Sequence, residues 1–120
     1  MNEASVSVSQ VFAKGHEIIG KQVSIQGELI VSSISAYLIE TGSQPESSAE
    51  KIIILQDGFL EHCLSNIPCW VGGPYCYYDL AQIEGTVISS NISDFQLGLS
   101  SLKTLTIFRD EDESVYSIDF

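Results

Sequence analysis

The chain has 120 residues, 44% of them hydrophobic and 18% charged, so it is long enough for one domain and apolar enough to bury a core. Its 16 acidic residues outnumber 5 basic ones, which gives a net charge of −11 at pH 7. A surface of this sign repels phosphate backbones and anionic lipid headgroups. It argues against nucleic-acid and membrane binding and favours a basic protein as partner, although acidity can also serve solubility alone.

The N-terminal residues MNEASVSVSQ have neither a basic nor an apolar region of the signal-peptide kind, so we expect no signal peptide. No apolar run approaches the roughly 20 residues of a membrane helix. Cys63, Cys69 and Cys76 are odd in number and form no C-x-x-C pair, which favours a reducing cytoplasm. His62 beside Cys63 lacks the short paired spacing of a zinc site. We therefore expect a cytoplasmic protein without metal, disulfide or cofactor.

The N-terminal half contains a helical turn followed by strands. SVSQVFAKGHEI predicts a short helix with Ser7 or Ser9 as N-cap. IIGKQVSIQGELIV then alternates apolar and polar residues, which indicates a half-buried strand. Gly27 lies in the middle of this strand and requires a sharp bend or a close approach of other atoms. SAYLIET predicts a second strand, and GSQPESSAE an exposed loop.

The next strand, KIIILQD, is apolar on both faces, so it is either covered on both sides or carries an outward apolar patch. Asp57 is the predicted cap of a short helix, GFLEHCLSN. IPCWVGGPYCYYD, which contains Trp70, is too rich in Pro and Gly for regular structure. LAQIEGTVIS restores the strand alternation, and FQLGLSSLKTLTIF predicts a long last strand interrupted near Gly98 and Ser100. RDEDESVYSIDF is predicted to be a mobile acidic tail.

The order of three strands, a helix and two strands, with glycines in the first and fourth strands, resembles the OB-fold superfamily. The resemblance covers about residues 19–108 and is carried by IGKQVSIQGELI, KIIILQDG and AQIEGTVIS. It implies an all-β single domain over residues 1–120: a closed or partly open five-stranded barrel, a helix between strands three and four, and an acidic tail at 109–120. The residues predicted to point into the barrel are Val23, Ile25, Leu29, Ile83, Val87, Leu105 and Ile107.

The resemblance also implies a binding surface on strands two and three, where family members hold single-stranded nucleic acid or sometimes protein or sugar. Such nucleic-acid sites combine basic grooves with aromatic platforms. Here the region supplies Tyr37 and Lys51 together with several acidic residues, so nucleic acid is the weaker alternative. No nucleophile motif or phosphate loop is present, and we expect no catalytic residues.

Two interpretations of the tyrosine-rich segment stay open. The rings can plug the barrel end, or they can be exposed interface anchors, a common role of Tyr and Trp. The small barrel, the net charge of −11, the aromatic loop and the lack of a catalytic motif together predict a non-catalytic protein-binding module, in its sharpest form an acidic immunity-type inhibitor of a basic toxin or nuclease. The alternative is an oligonucleotide-binding barrel that works by stacking. The predicted partner-binding residues are Glu40, Glu46, Glu50, Asp57, Glu61, Tyr75, Tyr77 and Tyr78.

Overall fold

The computed structural model describes residues 5–32, 35–44, 50–69, 75–92, 95–109 and 113–120. They form two short α-helices, α1 (Val8–Lys14) and α2 (Phe59–Asn66), and a 3₁₀ turn at Gly15–Ile18. The remaining elements are strands, so the predicted all-β class is confirmed. The strands are β1 (Val6–Ser7), β2 (Gln22–Val31), β3 (Ala36–Ile39), β4 (Lys51–Ile54), β5 (Tyr77–Ser89), β6 (Leu97–Arg109) and β7 (Ser114–Asp119).

Five of these strands close a barrel. They pair in the order β2, β3, β4, β6, β5, and β5 returns to β2 through a ten-residue antiparallel ladder. The pairing of β4 with β6 is parallel, whereas the other barrel pairs are antiparallel. This closed five-stranded barrel of mixed topology is compatible with an OB-like fold. Because the two-residue β1 precedes the barrel, α2 lies between β4 and β5, which are the third and fourth barrel strands in sequence.

The barrel interior follows the predicted alternation. Along β5, every second side chain from Tyr77 to Val87 is buried, and those between them are half-buried. Of the residues predicted to point inward, all are buried except Val23, which is half-buried against the core. β4 is covered on both sides, since Ile52, Ile53 and Ile54 are all buried. The prediction of the core from period-two patterning is therefore confirmed.

Gly27 marks a close approach between β2 and the end of β3. A Cβ at this position would lie 2.5 Å from the backbone oxygen of Ile39 and 3.0 Å from Cγ2 of Val8. The Ile39 oxygen is part of the β3 backbone and cannot move away without opening the sheet, so a larger side chain at this position would disrupt the barrel. The mid-strand glycine thus reflects the second of the two predicted reasons, a neighbouring backbone.

The last long strand, β6, is interrupted as predicted. β6 changes partner along its length, from β4 at residues 97–99 to β7 at residues 104–109, and Ser101 between them has a positive φ of 50°. The predicted interruption therefore lies next to Ser100.

The prediction of a mobile tail is wrong for Ser114–Asp119, which form β7 and pair with β6 over six residues. Phe120 then stacks on Phe59 of α2 at 5.8 Å between ring centroids.

Candidate functional site

A buried ion pair lies at one end of the barrel. Arg109 Nε and Nη2 donate to the two carboxylate oxygens of Asp79 at 3.0 and 3.1 Å. The Arg109 guanidinium carbon also lies 5.9 Å from the ring centroid of Tyr77 and 5.5 Å from that of Tyr116. Sequence reasoning did not find this pair, although Asp79 has the same inward register as Tyr77. One of the five cations of the chain is thereby removed from the surface.

Tyr77 belongs to this buried cluster and not to the surface. Its side chain is 0% exposed, and its hydroxyl donates a 2.7 Å hydrogen bond to the backbone oxygen of Ile67, just after α2. Burial raises the pKa of the phenol above its ordinary value. The prediction that Tyr77 anchors a partner is wrong, because no atom of the ring is accessible. Tyr77 instead plugs the barrel end, as the alternative interpretation of the tyrosines stated.

Two of the predicted acidic residues are bound to α1. Glu40 Oε1 accepts a 2.8 Å hydrogen bond from the backbone N–H of Ser9, and Glu50 Oε1 accepts a 3.1 Å bond from the Ser9 hydroxyl. The first turn of α1 contains no acidic residue of its own, so these carboxylates lie where the helix dipole favours negative charge. Both residues are half-buried and serve the fold. Glu46, the third acidic candidate of this loop, lies outside the described residues.

The other two acidic candidates lie at the start of α2, and both are exposed. Asp57 does not cap the helix as predicted; the N-cap is Gly58, with φ of 71° and no side-chain hydrogen bond. Glu61 is in the first turn and borders a surface hollow of about 230 Å³, which is lined by Val31, Ser32, Ser35, Ala36, Ile54, Gln56, Phe59 and Leu60. These two carboxylates are therefore available to a partner.

The remaining tyrosine candidates are half-buried on the outer face of the barrel. Tyr75 and Tyr78 contact each other edge to face, with ring centroids 5.6 Å apart. Tyr78 lies opposite Ile30 in the β2–β5 ladder, and Ile30 lies opposite Tyr37 in the β2–β3 ladder. Side chains at directly opposite positions share a face of the sheet, so these residues form a continuous row.

The row is extended by Phe95, whose ring is tilted against Tyr37 at 5.6 Å between centroids. The sequence pattern places Phe95 in the last predicted strand and gives it no site role. We call Tyr37, Tyr75, Tyr78 and Phe95 the aromatic face. It begins at the same barrel end as α2, since Val31 accepts a hydrogen bond from the Cys76 N–H and also lines the hollow beside Glu61.

The cations are dispersed. Lys51 Nζ lies 5.2 Å from the ring centroid of Tyr37, and Arg109 is buried. Lys14, Lys21 and Lys103 are exposed, at the end of α1, before β2 and on β6 respectively. A groove that follows a nucleic-acid backbone needs several neighbouring cations, and these five residues do not form one.

The sulfur and imidazole groups are distributed through the fold. The three cysteines are free thiols, and burial raises the pKa of Cys63 to about 12. The His62 ring makes contacts within the domain. Its Nε2 lies 2.9 Å from the backbone oxygen of Asp119, and its ring centroid lies 4.9 Å from that of Phe120. Within the described ranges, no three His, Cys, Asp or Glu residues are grouped as metal ligands, and neither helix is long and apolar enough to cross a membrane.

No family model matches the chain, and no curated protein is significantly similar to it. The fold and the surface define the class only as a closed OB-like barrel with an aromatic outer face and an acidic helix start.

Proposed function

We propose that the chain is a non-catalytic binding module for a basic protein, and that the contact is centred on the start of α2 and the aromatic face. In its sharpest form, the module is an acidic inhibitor that covers the active site of a basic toxin or nuclease. The observation that carries the proposal is the exposure of Asp57 and Glu61 at the barrel end where the aromatic face begins.

The two parts of this surface have different physical roles. Exposed carboxylates attract a cationic protein over a distance of about a Debye length and raise the association rate. Half-buried tyrosines such as Tyr78 supply contact area with few rotatable bonds, and residues of this type commonly dominate interface energies. Arg109 is paired with Asp79 inside the barrel, and Lys51 lies over Tyr37 of the aromatic face, so the negative charge of this surface is concentrated at Asp57 and Glu61.

Affinity capture from the native host tests the proposal. The full chain is used as bait at low and at high salt, and bound proteins are identified by mass spectrometry. We expect a basic protein that binds at low salt and is depleted at high salt. A bait with Asp57→Lys and Glu61→Lys should lose the same protein. Recovery of no basic protein, or of one that is retained equally by both baits, contradicts the proposal.

A second candidate function is favoured by one specific contact. Tyr37, Phe95 and Lys51 lie together on the outer face of β3 and β4, where aromatic stacking with a nearby cation suits single-stranded oligonucleotides. One lysine cannot follow a phosphate backbone, so this candidate is second. Fluorescence anisotropy with labelled oligothymidylate distinguishes the two: tight binding at physiological salt that is lost in Tyr37→Ala would favour the oligonucleotide.

A further inference from the structure

β7 has one hydrogen-bonded edge and one open edge. The Phe120 N–H donates to the backbone oxygen of Lys103 at 2.9 Å, and residues 114–119 continue this antiparallel register along β6. Hydrogen-bonded and non-bonded pairs alternate in such a ladder. The backbone groups of Tyr116 and Ile118 therefore point towards β6, and those of Val115, Ser117 and Asp119 point away from it.

Among the residues that the structure describes, one contact is made on the outer edge, at Asp119. His62 of α2 donates to the Asp119 backbone oxygen. This contact agrees with the register, which turns that oxygen away from β6. No strand in the described part of the chain pairs with β7 on this side, and its only strand partner is β6. The N–H and C=O groups of Val115 and Ser117 are thus accessible to a further strand. An open strand edge of this kind is a template for pairing with another chain.

An apolar row on the outer face of the sheet ends at this edge. Leu80 of β5 lies opposite Phe108 of β6, and Phe108 lies opposite Val115 of β7. Leu80 and Phe108 are half-buried, whereas Val115 is 61% exposed. An added strand would place its own side chain beside Val115 and continue the row. The edge and the row are separate observations that point to the same position.

The charges at this edge select the partner. Glu113 and Asp119 are exposed at the two ends of β7. A second copy that paired with both Val115 and Ser117 through a twofold axis would set Glu113 opposite Asp119 of the other copy, and like charges directly opposite are destabilising. A strand with basic residues would instead be attracted at both ends.

We propose that the open edge of β7 takes up an extended, basic segment of the partner protein as an additional strand, with an apolar side chain of that segment beside Val115. Main-chain hydrogen bonds would provide affinity, and the row of Leu80, Phe108 and Val115 would provide specificity. The inference rests on the proposed function for the basic character of the partner. It concerns a different surface, so the two can fail separately.

A synthetic peptide of alternating Lys and Val, with blocked ends, serves as the probe for this edge. Amide hydrogen exchange of the full chain, measured by NMR, should show fast exchange at Val115 and Ser117 and slow exchange at Tyr116 and Ile118. We expect the peptide to slow exchange at Val115 and Ser117 at least tenfold. N-methylation of the alternate peptide residues whose N–H groups face β7 should abolish binding. Methylation of the other set of residues, whose N–H groups face solvent, should preserve it.

A matched pair of variants supplies the control. Val115→Lys should weaken peptide binding at least tenfold, whereas Leu64→Lys, on the exposed face of α2 at 47% exposure, should leave it unchanged. Absence of peptide binding, self-association through β7, or peptide-induced protection at the aromatic face with none at Val115 would each overturn the inference. If the β7 inference fails in this way but the chain still binds a basic partner through Asp57 and Glu61, the proposed function stands without it.

Discussion

The guanidinium of Arg109 and the carboxylate of Asp79 form a bidentate ion pair inside the barrel end, with both residues more than nine-tenths buried. Asp79 is in β5 and Arg109 is the last residue of β6, so the pair joins two strands at the point where β7 also begins its pairing. The rings of Tyr77 and Tyr116 both lie near the guanidinium, with centroids 5.9 and 5.5 Å from its central carbon.

Removing one member of this pair should destabilise the fold strongly. Asp79→Leu or Arg109→Met removes one charge and breaks the buried ion pair, which typically costs about 3–5 kcal/mol. The double replacement Asp79→Leu with Arg109→Met removes both charges and should cost much less than the sum of the single changes. Urea unfolding of all four proteins measures the coupling. Single variants that each lose less than about 1 kcal/mol would show that the pair is not desolvated in solution.

Tyr77 should affect stability and not partner contact. Tyr77→Phe removes the hydrogen bond to the Ile67 oxygen and should cost about 1 kcal/mol, whereas Tyr77→Ala also creates a cavity and should cost about 3–5 kcal/mol. Thermal and urea unfolding measure both values. Tyr75→Phe, in a half-buried ring, is the control and should change stability little. A Tyr77→Phe protein that unfolds like the unaltered chain would contradict the assigned hydrogen bond.

The stability of the N-terminus of α1 should depend both on its own cap and on a side chain distant in sequence. Ser7 caps this helix in a capping box with Gln10, and Ser7→Ala should cost about 0.5–2 kcal/mol. Glu40→Gln retains an acceptor for the Ser9 N–H but removes the charge, so its smaller cost should disappear at high salt. Unfolding at two salt concentrations tests this difference. A cost of Glu40→Gln that is independent of salt would assign Glu40 a role other than the helix dipole.

The three thiols should differ in reactivity. Burial raises the pKa of Cys63 from 9.0 to about 12, so its thiolate is nearly absent at pH 8. Alkylation of the native protein should therefore modify the exposed Cys69 well before Cys63, as mass spectrometry of digests can show. Because the unfolded thiol ionises first, this group's contribution to stability is complete below about pH 9 and is lost as the pH rises towards 12. Modification of Cys63 as rapid as that of Cys69 would contradict the structure.

The barrel could be predicted from sequence because its strands show period-two alternation over many residues. Asp79 could not be placed in this way, because the alternation of β5 is clear only from Ala81 and the preceding Gly-Pro segment conceals the start of the strand. β7 was missed for a different reason: its charged surroundings indicated a tail, while its pairing with β6 is a tertiary contact. No local pattern in the sequence shows that Glu40 and Glu50 reach Ser9, 31 and 41 residues away.

The association rate of the captured basic partner is the most direct test of the proposed binding surface. Glu61→Lys is compared with Glu17→Lys, since both residues are exposed acids in the first turn of a short helix and both variants change the net charge equally. We expect Glu61→Lys to slow association several-fold and to reduce its salt dependence, while Glu17→Lys, in the 3₁₀ turn before β2, has a clearly smaller effect. Equal effects of the two variants, or no effect of either, would contradict a partner surface at the start of α2.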